Sequence, residues 1–280
     1  MTDFRVLVLD IDGTTLTKDR RLTTRDLRAA EALREQGVQI TLATGRLFSG
    51  TRPLAHRLGV ALPVACMNGS ERVVWETGER QTRRGLPAAL LREVQRIMLE
   101  RELAACVFCS DHVHVCERAM PLLRYLESWS ETFAWSDDAR RASVWQQDDG
   151  SVLAVAAAGD GALIDEVVRE LEPALTDDIE LWRFAHPAGG HLLKLRDRRE
   201  NKGTALRELA AQAGVTEAAC VAVGDWFNDV PMLVEAGRSF AMAQAPEGVR
   251  ASATDVLEAS SEAGGAIAEV AARVWGVEVD

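Results

Sequence analysis

The sequence contains no uninterrupted apolar span of the ~20 residues that crossing a membrane requires. No charged-then-apolar segment opens it, so no secretory leader is expected. Positive charge is also scarce: 32 Lys and Arg face 43 Asp and Glu, for a net charge of −11. That balance argues against a general nucleic-acid binder or an anionic-membrane binder. An anionic substrate would need local help from a cation or from placed donors. The five cysteines are Cys66, Cys106, Cys109, Cys116 and Cys220. Their odd number and scatter through apolar runs fit reduced thiols in a cytoplasmic protein rather than a disulfide framework. Internal repeats and low-complexity segments are absent. What remains is a chain of 280 residues, 47% hydrophobic, sufficient for one large domain or two moderate ones.

Asp10-Ile11-Asp12-Gly13-Thr14 follows the apolar run Val6-Leu7-Val8-Leu9. Such a run suits a buried parallel strand. Acids two residues apart point the same way in extended backbone, and Gly13 frees the chain to turn. Open α/β sheets bind ligands outside the carboxyl ends of their strands. Taken alone, the same residues also fit a loop carrying solvated acids.

Thr23 and Asp26 have the spacing of a helix start, and Gly37 supplies the stop. A second strand, Val38 to Ala43, runs into Thr44-Gly45-Arg46, where another helix is expected to begin. This is a βαβ unit with a parallel pair. A hydroxyl, a backbone N–H and a guanidinium at a helix start suit an anion; an ordinary helix cap followed by a surface arginine is the alternative. Pro63 to Met67 reads as a third strand ending at Asn68-Gly69, a turn signal. Arg72 to Trp75 and Arg80 to Arg84 read as a hairpin.

From about Pro87 the strict alternation stops. Helices are expected at Pro87 to Glu102, Pro121 to Trp129 and Ala162 to Leu171. Strands are expected at Ala105 to Cys109, His112 to Cys116, near Phe133, near Val144, at Val152 to Ala157, at Ile179 to Phe184 and at His191 to Leu195. His112, His114 and Cys116 share one strand face. A zinc site could use those side chains, but no fourth ligand is evident, and a structural or substrate-lining role is the simpler expectation. Cys106 and Cys109 have CxxC spacing without the strand-to-helix turn a redox motif needs. Trp129, Trp135, Trp145 and Trp182 are expected to pack rather than form a cage.

Alternation returns after Glu200-Asn201-Lys202-Gly203, with a helix at Thr204 to Gly214. The strand Cys220 to Val223 ends in Gly224-Asp225-Trp226-Phe227-Asn228-Asp229. A helix at Val230 to Ala236, a strand at Ser239 to Met242 and a closing helix at Gly264 to Val274 complete the chain. Chemistry therefore gathers at Asp10 and Asp12, Thr44-Gly45, Lys202, and Asp225, Asn228 and Asp229. Oxygen ligands from separate strand ends are what Mg²⁺ needs, and clustered carboxylates repel one another without a cation. A lysine adds a compact positive charge for phosphate.

DxDGT, TGR, a lysine and GDxxND, in this order, resemble the haloacid dehalogenase superfamily of phosphohydrolases, and in particular its Cof-type branch with a large inserted cap. The resemblance implies a Rossmann-like α/β parallel-sheet core, residues 1–84 and 190–280, interrupted by an α+β cap domain at 85–189. It implies Asp10 as nucleophile, forming an aspartyl-phosphate, and Asp12 as general acid and then base. Thr44 and the N–H of Gly45 would hold the phosphoryl group, with Asn228 supporting it, and Lys202 would neutralise charge and steady Asp10. Mg²⁺ would be held by Asp10, Asp12 through its carbonyl, and Asp225, with Asp229 as ligand or close behind. Asn68-Gly69 matches a position near substrate.

The sequence departs from the family pattern at Arg196-Asp197-Arg198-Arg199, read as solvated surface or as added substrate contacts, and at the bulky Trp226 and Phe227. Arg46 either touches substrate or does not. In such proteins the cap closes over the site and reads the leaving group, so specificity residues are sought in it, with His112, His114, Arg183 and His186 as candidates. The implied activity is a Mg²⁺-dependent phosphatase for a small phosphorylated metabolite, a sugar or polyol phosphate, as a monomer or homodimer. A phosphomutase using the same intermediate and a non-catalytic sugar-phosphate sensor are the alternatives. A sensor should have lost Asp10, Asp12 or Lys202, and all are present.

Overall fold

The computed structural model describes residues 3–127, 129–147, 149–185 and 190–279. In chain order, the first stretch holds β1 (Val6–Leu9), α1 (Thr24–Glu35), β2 (Gln39–Leu42), α2 (Phe48–Leu58), β3 (Val64–Cys66), β4 (Glu71–Val73) and β5 (Arg80–Arg83). The middle stretch holds α3 (Ala88–Glu100), β6 (Ala104–Cys109), β7 (Val113–Val115), α4 (Leu123–Leu126), β8 (Phe133–Trp135), β9 (Val152–Gly159), α5 (Gly161–Leu171), β10 (Ile179–Ala185) and β11 (His191–Asp197). The last holds α6 (Lys202–Gln212), β12 (Cys220–Gly224), α7 (Val230–Glu235), β13 (Arg238–Ala241), α8 (Glu247–Arg250), β14 (Asp255–Val256) and α9 (Ala266–Trp275). The chain divides into two compact units: Met1–Gly45 with Thr51–Gln81 and Asn201–Asp280, and Arg46–Gly50 with Thr82–Glu200.

In the first unit a 5-stranded parallel sheet runs β14-β13-β12-β1-β2. Its inner strand β1 is fully buried, which is why its sequence is continuously apolar instead of alternating. Strand order reverses direction at β1, between β12 and β2, so the carboxyl ends of β1, β2 and β12 open onto one crevice. Leu206 and Leu209 of α6, with Met232 and Leu233 of α7, cover one face.

The N-terminus of α1 is capped as its spacing predicts: the Asp26 N–H donates to Thr23 Oγ1 at 3.0 Å. Asp26 also does something the spacing does not reveal. Its buried carboxylate accepts from the N–H groups of Gly265, Ile267 and Ala268, at 2.9 to 3.1 Å. It thereby satisfies the otherwise unpartnered donors at the start of α9 and ties the two ends of the sequence together.

In the second unit a 6-stranded sheet runs β10-β11-β9-β6-β7-β8, antiparallel except for the β7–β8 pair. Leu90, Leu91, Val94, Ile97 and Met98 of α3 and Ile164, Val167 and Leu171 of α5 pack on one of its faces.

Several expectations change. β3 pairs antiparallel with β4 in a separate 3-stranded sheet, and a parallel Ala43–Ala65 bridge and the Thr44 N–H donating to Ala65 O at 2.8 Å join it to the chain just past β2. The second unit reaches Glu200, beyond the boundary expected at 189, because β11 is stitched on both sides to β9 and β10. It also begins at Thr82, slightly ahead of residue 85. Val144 lies in a 3₁₀ turn, Ser143–Gln146, not a strand. α4 is a single turn preceded by a 3₁₀ segment, shorter than the helix expected over Pro121 to Trp129. α2 begins at Phe48, so Thr44-Gly45-Arg46 precedes the helix instead of capping it. Of the four tryptophans expected to pack, Trp145 is buried, whereas Trp135 and Trp182 are exposed. Among the described residues no helix is long and apolar enough to cross a membrane.

Candidate active site

Asp10 sits one residue past β1. Its N–H donates to Val223 O of β12 at 3.0 Å, and its carbonyl accepts from Thr15 Oγ1 at 2.5 Å. The backbone is thus pinned where the strand ends. On the side chain, Oδ1 accepts from Lys202 Nζ at 2.5 Å, and Oδ2 has no hydrogen-bond partner among the described residues. The side chain is 8% exposed, which leaves it a narrow opening. Burial raises its pKa well above the carboxylate range; Lys202 pulls it back, and Asp229 and Asp225 push it up further.

Lys202 is the first residue of α6. Asn201 caps this helix, accepting from the Gly203 and Thr204 N–H groups, while Thr204 Oγ1 accepts from the Asn201 N–H at 3.0 Å. The reciprocal cap fixes the direction of the lysine stem. Its ammonium is fully buried and also donates to Asp229 Oδ1 at 2.5 Å. Burial works against that charge, but Asp10 and Asp229 outweigh it and raise the lysine pKa.

Asp229 spends both oxygens inside the protein. Oδ2 accepts from the Asp225 and Trp226 N–H groups at 2.9 Å each. It therefore shapes the loop after β12, which also explains the tight approach of Gly224: a Cβ there would lie 2.5 Å from Asp229 Cβ. Asp225 is held loosely, with Thr14 Oγ1 and Gln244 Nε2 each 3.4 Å from its carboxylate. Burial and then Asp229 push its pKa up to about 6. Trp226 and Phe227 pack edge to face on each other and stay exposed.

Oxygens of Asp10, Asp225 and Asp229 all lie within 4.8 Å of one another. Three carboxylates against one ammonium leave surplus negative charge in a poorly solvated crevice, and hard oxygen donors of this kind suit a divalent cation. Asp12 is exposed and lies outside this carboxylate group. Gly13 turns the chain at φ +81°, with its carbonyl accepting from Gln244 Nε2 at 2.8 Å.

Across the crevice, Thr44 is buried beyond β2, its N–H donated to Ala65 O and its carbonyl accepting from Asn68 N–H. The Gly45 N–H has no acceptor among the described residues, so a donor stands ready for an anion. Asn228 Nδ2 donates to Asn68 Oδ1 at 2.8 Å, and a Cβ built on Gly45 would lie 3.6 Å from the same oxygen. Asp10, Thr44, Gly45, Lys202, Asp225, Asn228 and Asp229 thus belong to one unit and gather at its strand ends. Asn68, given no chemistry from sequence, holds the amide that links Gly45 to Asn228; its left-handed backbone, φ 57°, turns it there. Thr15 and Gln244 escape sequence reasoning too. Thr15 adjoins the acidic motif and could have been found from that, whereas Gln244 carries no signal beyond lying just past a strand end.

Residues considered for contacts with substrate are placed differently. Arg46 belongs to the second unit, where it is buried and donates to Gly50 O at 3.1 Å. Arg196 is not solvated surface: it is buried, paired with Glu180 at 2.6 Å and donating to Glu200 O. Arg199 pairs with Asp197 and Asp178. Arg183 pairs with Asp165 at 2.9 Å. His112 and His114 meet each other, and His186 lies outside the described residues.

Comparison with known proteins gives one consistent answer. Residues 7–270 match the family model for haloacid dehalogenase-like hydrolases. The pyridoxal phosphate phosphatase of Escherichia coli strain K12 is 26% identical over 269 residues, covering 90% of this chain and 93% of that protein. The 5-amino-6-(5-phospho-D-ribitylamino)uracil phosphatase of Bacillus subtilis strain 168 is 23% identical over 269 residues, covering 94% and 93%. A haloacid dehalogenase-like hydrolase from Bacteroides thetaiotaomicron superposes with a TM-score of 0.80 at 24% identity over 97% of this chain and 99% of that one, a likeness of fold. The chain belongs to the haloacid dehalogenase-like hydrolases, in the Cof-type branch of phosphoric monoester hydrolases.

Proposed function

We propose that this enzyme is a Mg²⁺-dependent phosphatase of a small phosphorylated metabolite, acting through a phosphoryl group carried on Asp10. The observation that carries the proposal is the asymmetry of that carboxylate. Oδ1 is anchored by Lys202 at 2.5 Å, and Oδ2 is left without a partner at the end of a rigid strand. An anchored carboxylate with one unengaged oxygen is a positioned nucleophile.

In the first half-reaction Asp10 Oδ2 bonds to phosphorus as the bond to the leaving oxygen breaks, and Asp12 gives that oxygen a proton. In the second, water bonds to phosphorus, Asp12 takes its proton, and the acyl-phosphate bond breaks to free inorganic phosphate and Asp10. Asp12 is exposed, in keeping with a group that meets both leaving group and water. Thr44 and the Gly45 N–H hold the phosphoryl oxygens, with Asn228 fixed beside them by Asn68. Lys202 keeps Asp10 oriented and offsets charge on the transferring group. Asp10 and Asp225, with the Asp12 carbonyl, would hold Mg²⁺; Asp229, whose oxygens already serve Lys202 and the loop N–H groups, supports the site from behind. The cation would supply charge neutralisation for phosphate entering a crevice of surplus negative charge.

For substrate we favour a sugar or polyol phosphate. The similar Bacillus subtilis enzyme is named for a substrate with a phosphorylated ribityl chain, which supports the polyol reading; the Escherichia coli relative is named for a phosphorylated pyridine. Five unpaired, buried cysteines support a cytoplasmic setting. The test is inorganic phosphate release from a panel of sugar, polyol and pyridoxal phosphates, with Mg²⁺ and with EDTA. Metal-dependent release ranked highest for polyol or sugar phosphates is the expected result. Isomerised sugar phosphate without free phosphate would establish a mutase instead.

A further inference from the structure

The second unit holds a cluster that the phosphatase reading does not use. β6 and β7 form a hairpin whose turn is closed by the Cys109 N–H donating to His112 O at 2.9 Å. The register of β6 against β9 shifts between Phe108 and Cys109, at this same end of β6. The cysteine grouped with His112 and His114 is Cys109, not the Cys116 that strand periodicity alone suggests. His112 Nε2 and His114 Nε2 are 2.8 Å apart, and Cys109 Sγ lies within 4.8 Å of ligand nitrogens on both rings. Cys116 is buried elsewhere and is not part of the group.

We propose that Cys109, His112 and His114 bind one Zn²⁺ ion, leaving the fourth position to water. The donor set is borderline-soft, one sulfur and two imidazole nitrogens, which favours zinc over Mg²⁺ or Ca²⁺. Tetrahedral bonds of about 2.0–2.1 Å to nitrogen and about 2.3 Å to sulfur put ligand atoms roughly 3.3–3.7 Å apart. The imidazoles therefore separate slightly, and the thiol moves in, on a turn where small shifts suffice.

The surroundings support a cation. The cluster lines a cavity of about 150 Å³, large enough for an ion with its water. Ser110 lines the same cavity; its buried hydroxyl has no hydrogen-bond partner among the described residues, and water on the ion would give it one. Asp111 is on the turn itself, and its charge and that of Asp149 reach Cys109. Arg83 opposes them but sits 3.5 Å from Asp149, which offsets it. Binding exchanges the Cys109 S–H bond for a sulfur–zinc bond and releases that proton to solvent.

Zinc would tie the β6 and β7 ends together, with its water-held fourth position open to the cavity. The experiment is a Co²⁺ titration of the chelator-stripped full chain with Mg²⁺ present, read by absorbance. Thiolate ligation gives a near-ultraviolet charge-transfer band that an all-oxygen site does not produce, so the result is independent of the phosphatase proposal. The expected result is a band saturating at one equivalent and bleached by one equivalent of Zn²⁺. It persists in Cys116→Ser and Asp225→Asn, and disappears in Cys109→Ser. His114→Asn, at a half-buried position that tolerates change, weakens Co²⁺ binding at least about tenfold. Absence of the band from the unmodified protein, or its persistence in Cys109→Ser, overturns the proposal.

Discussion

A Cβ placed on Gly13 would lie 2.3 Å from Asp225 Oδ2, so the turn after the first acidic motif and the second acidic motif occupy one space that only glycine leaves open. The two motifs are far apart in sequence and adjacent because β1 and β12 pair directly. Gly13→Ala should therefore act on Asp225. It also meets a backbone at φ +81°, where a side chain costs about 1–2 kcal/mol. The expected outcome is a folded protein with weakened metal affinity and activity reduced at least about tenfold, with urea unfolding showing the modest stability loss.

Lys202 balances two buried carboxylates. Replacing it with Met removes their common partner and should destabilise the protein by about 3–5 kcal/mol in the absence of metal. Loss of charge stabilisation should lower turnover by about 10²–10³-fold. Denaturant unfolding and initial rates check the two effects separately. Unchanged stability would mean that the carboxylates are neutral when the lysine is missing.

The Asp26 carboxylate holds the start of α9, and Asp26→Ala should cost about 1–2 kcal/mol, the scale of a lost helix cap. Because the partners of Asp26 are Thr23 and the start of α9, not the acidic residues of the crevice, the rate at low temperature should hardly change while the melting temperature falls. Equal losses in both would place Asp26 in the catalytic machinery.

The Asp225 pKa near 6 gives a pH prediction whose sign is definite. In the metal-free protein the folded state binds more protons than the unfolded chain between about pH 4 and about pH 6. Stability contributed by protonated Asp225 is present at low pH and lost as pH rises through that window. Asp225→Asn should flatten the slope. Metal binding requires the ionised carboxylate, so affinity should fall as pH drops below about 6. Calorimetric unfolding in EDTA across this range and metal titration at fixed pH values measure the two arms.

Much of the crevice is legible in the sequence because its residues sit where continuous apolar strands end. Val6–Leu9 and Cys220–Gly224 announce buried parallel strands, and the acids that follow them can only emerge at the carboxyl edge. Lys202 is legible for a similar reason, standing at a capped helix start. Pairing partners are less visible. The run at β3 reads only as a strand; that it pairs antiparallel with β4 on one side and bridges in parallel to Ala43 on the other is not encoded in three apolar residues. Arg196 looks solvent-facing by composition and is buried because Glu180 of the neighbouring strand pairs with it. Asn68 and Gln244 contribute through contacts made across the tertiary structure, which no local pattern records.

The central claim is that Asp10 carries the phosphoryl group. The direct measurement is to mix the enzyme with a turned-over ³²P-labelled phosphomonoester and Mg²⁺, quench with acid, and locate the label by mass spectrometry. The account predicts an acid-stable, hydroxylamine-labile acyl-phosphate on Asp10, absent from a folded Asp10→Asn protein that has also lost activity. Turnover retained in folded Asp10→Asn, or label on another residue, would contradict it.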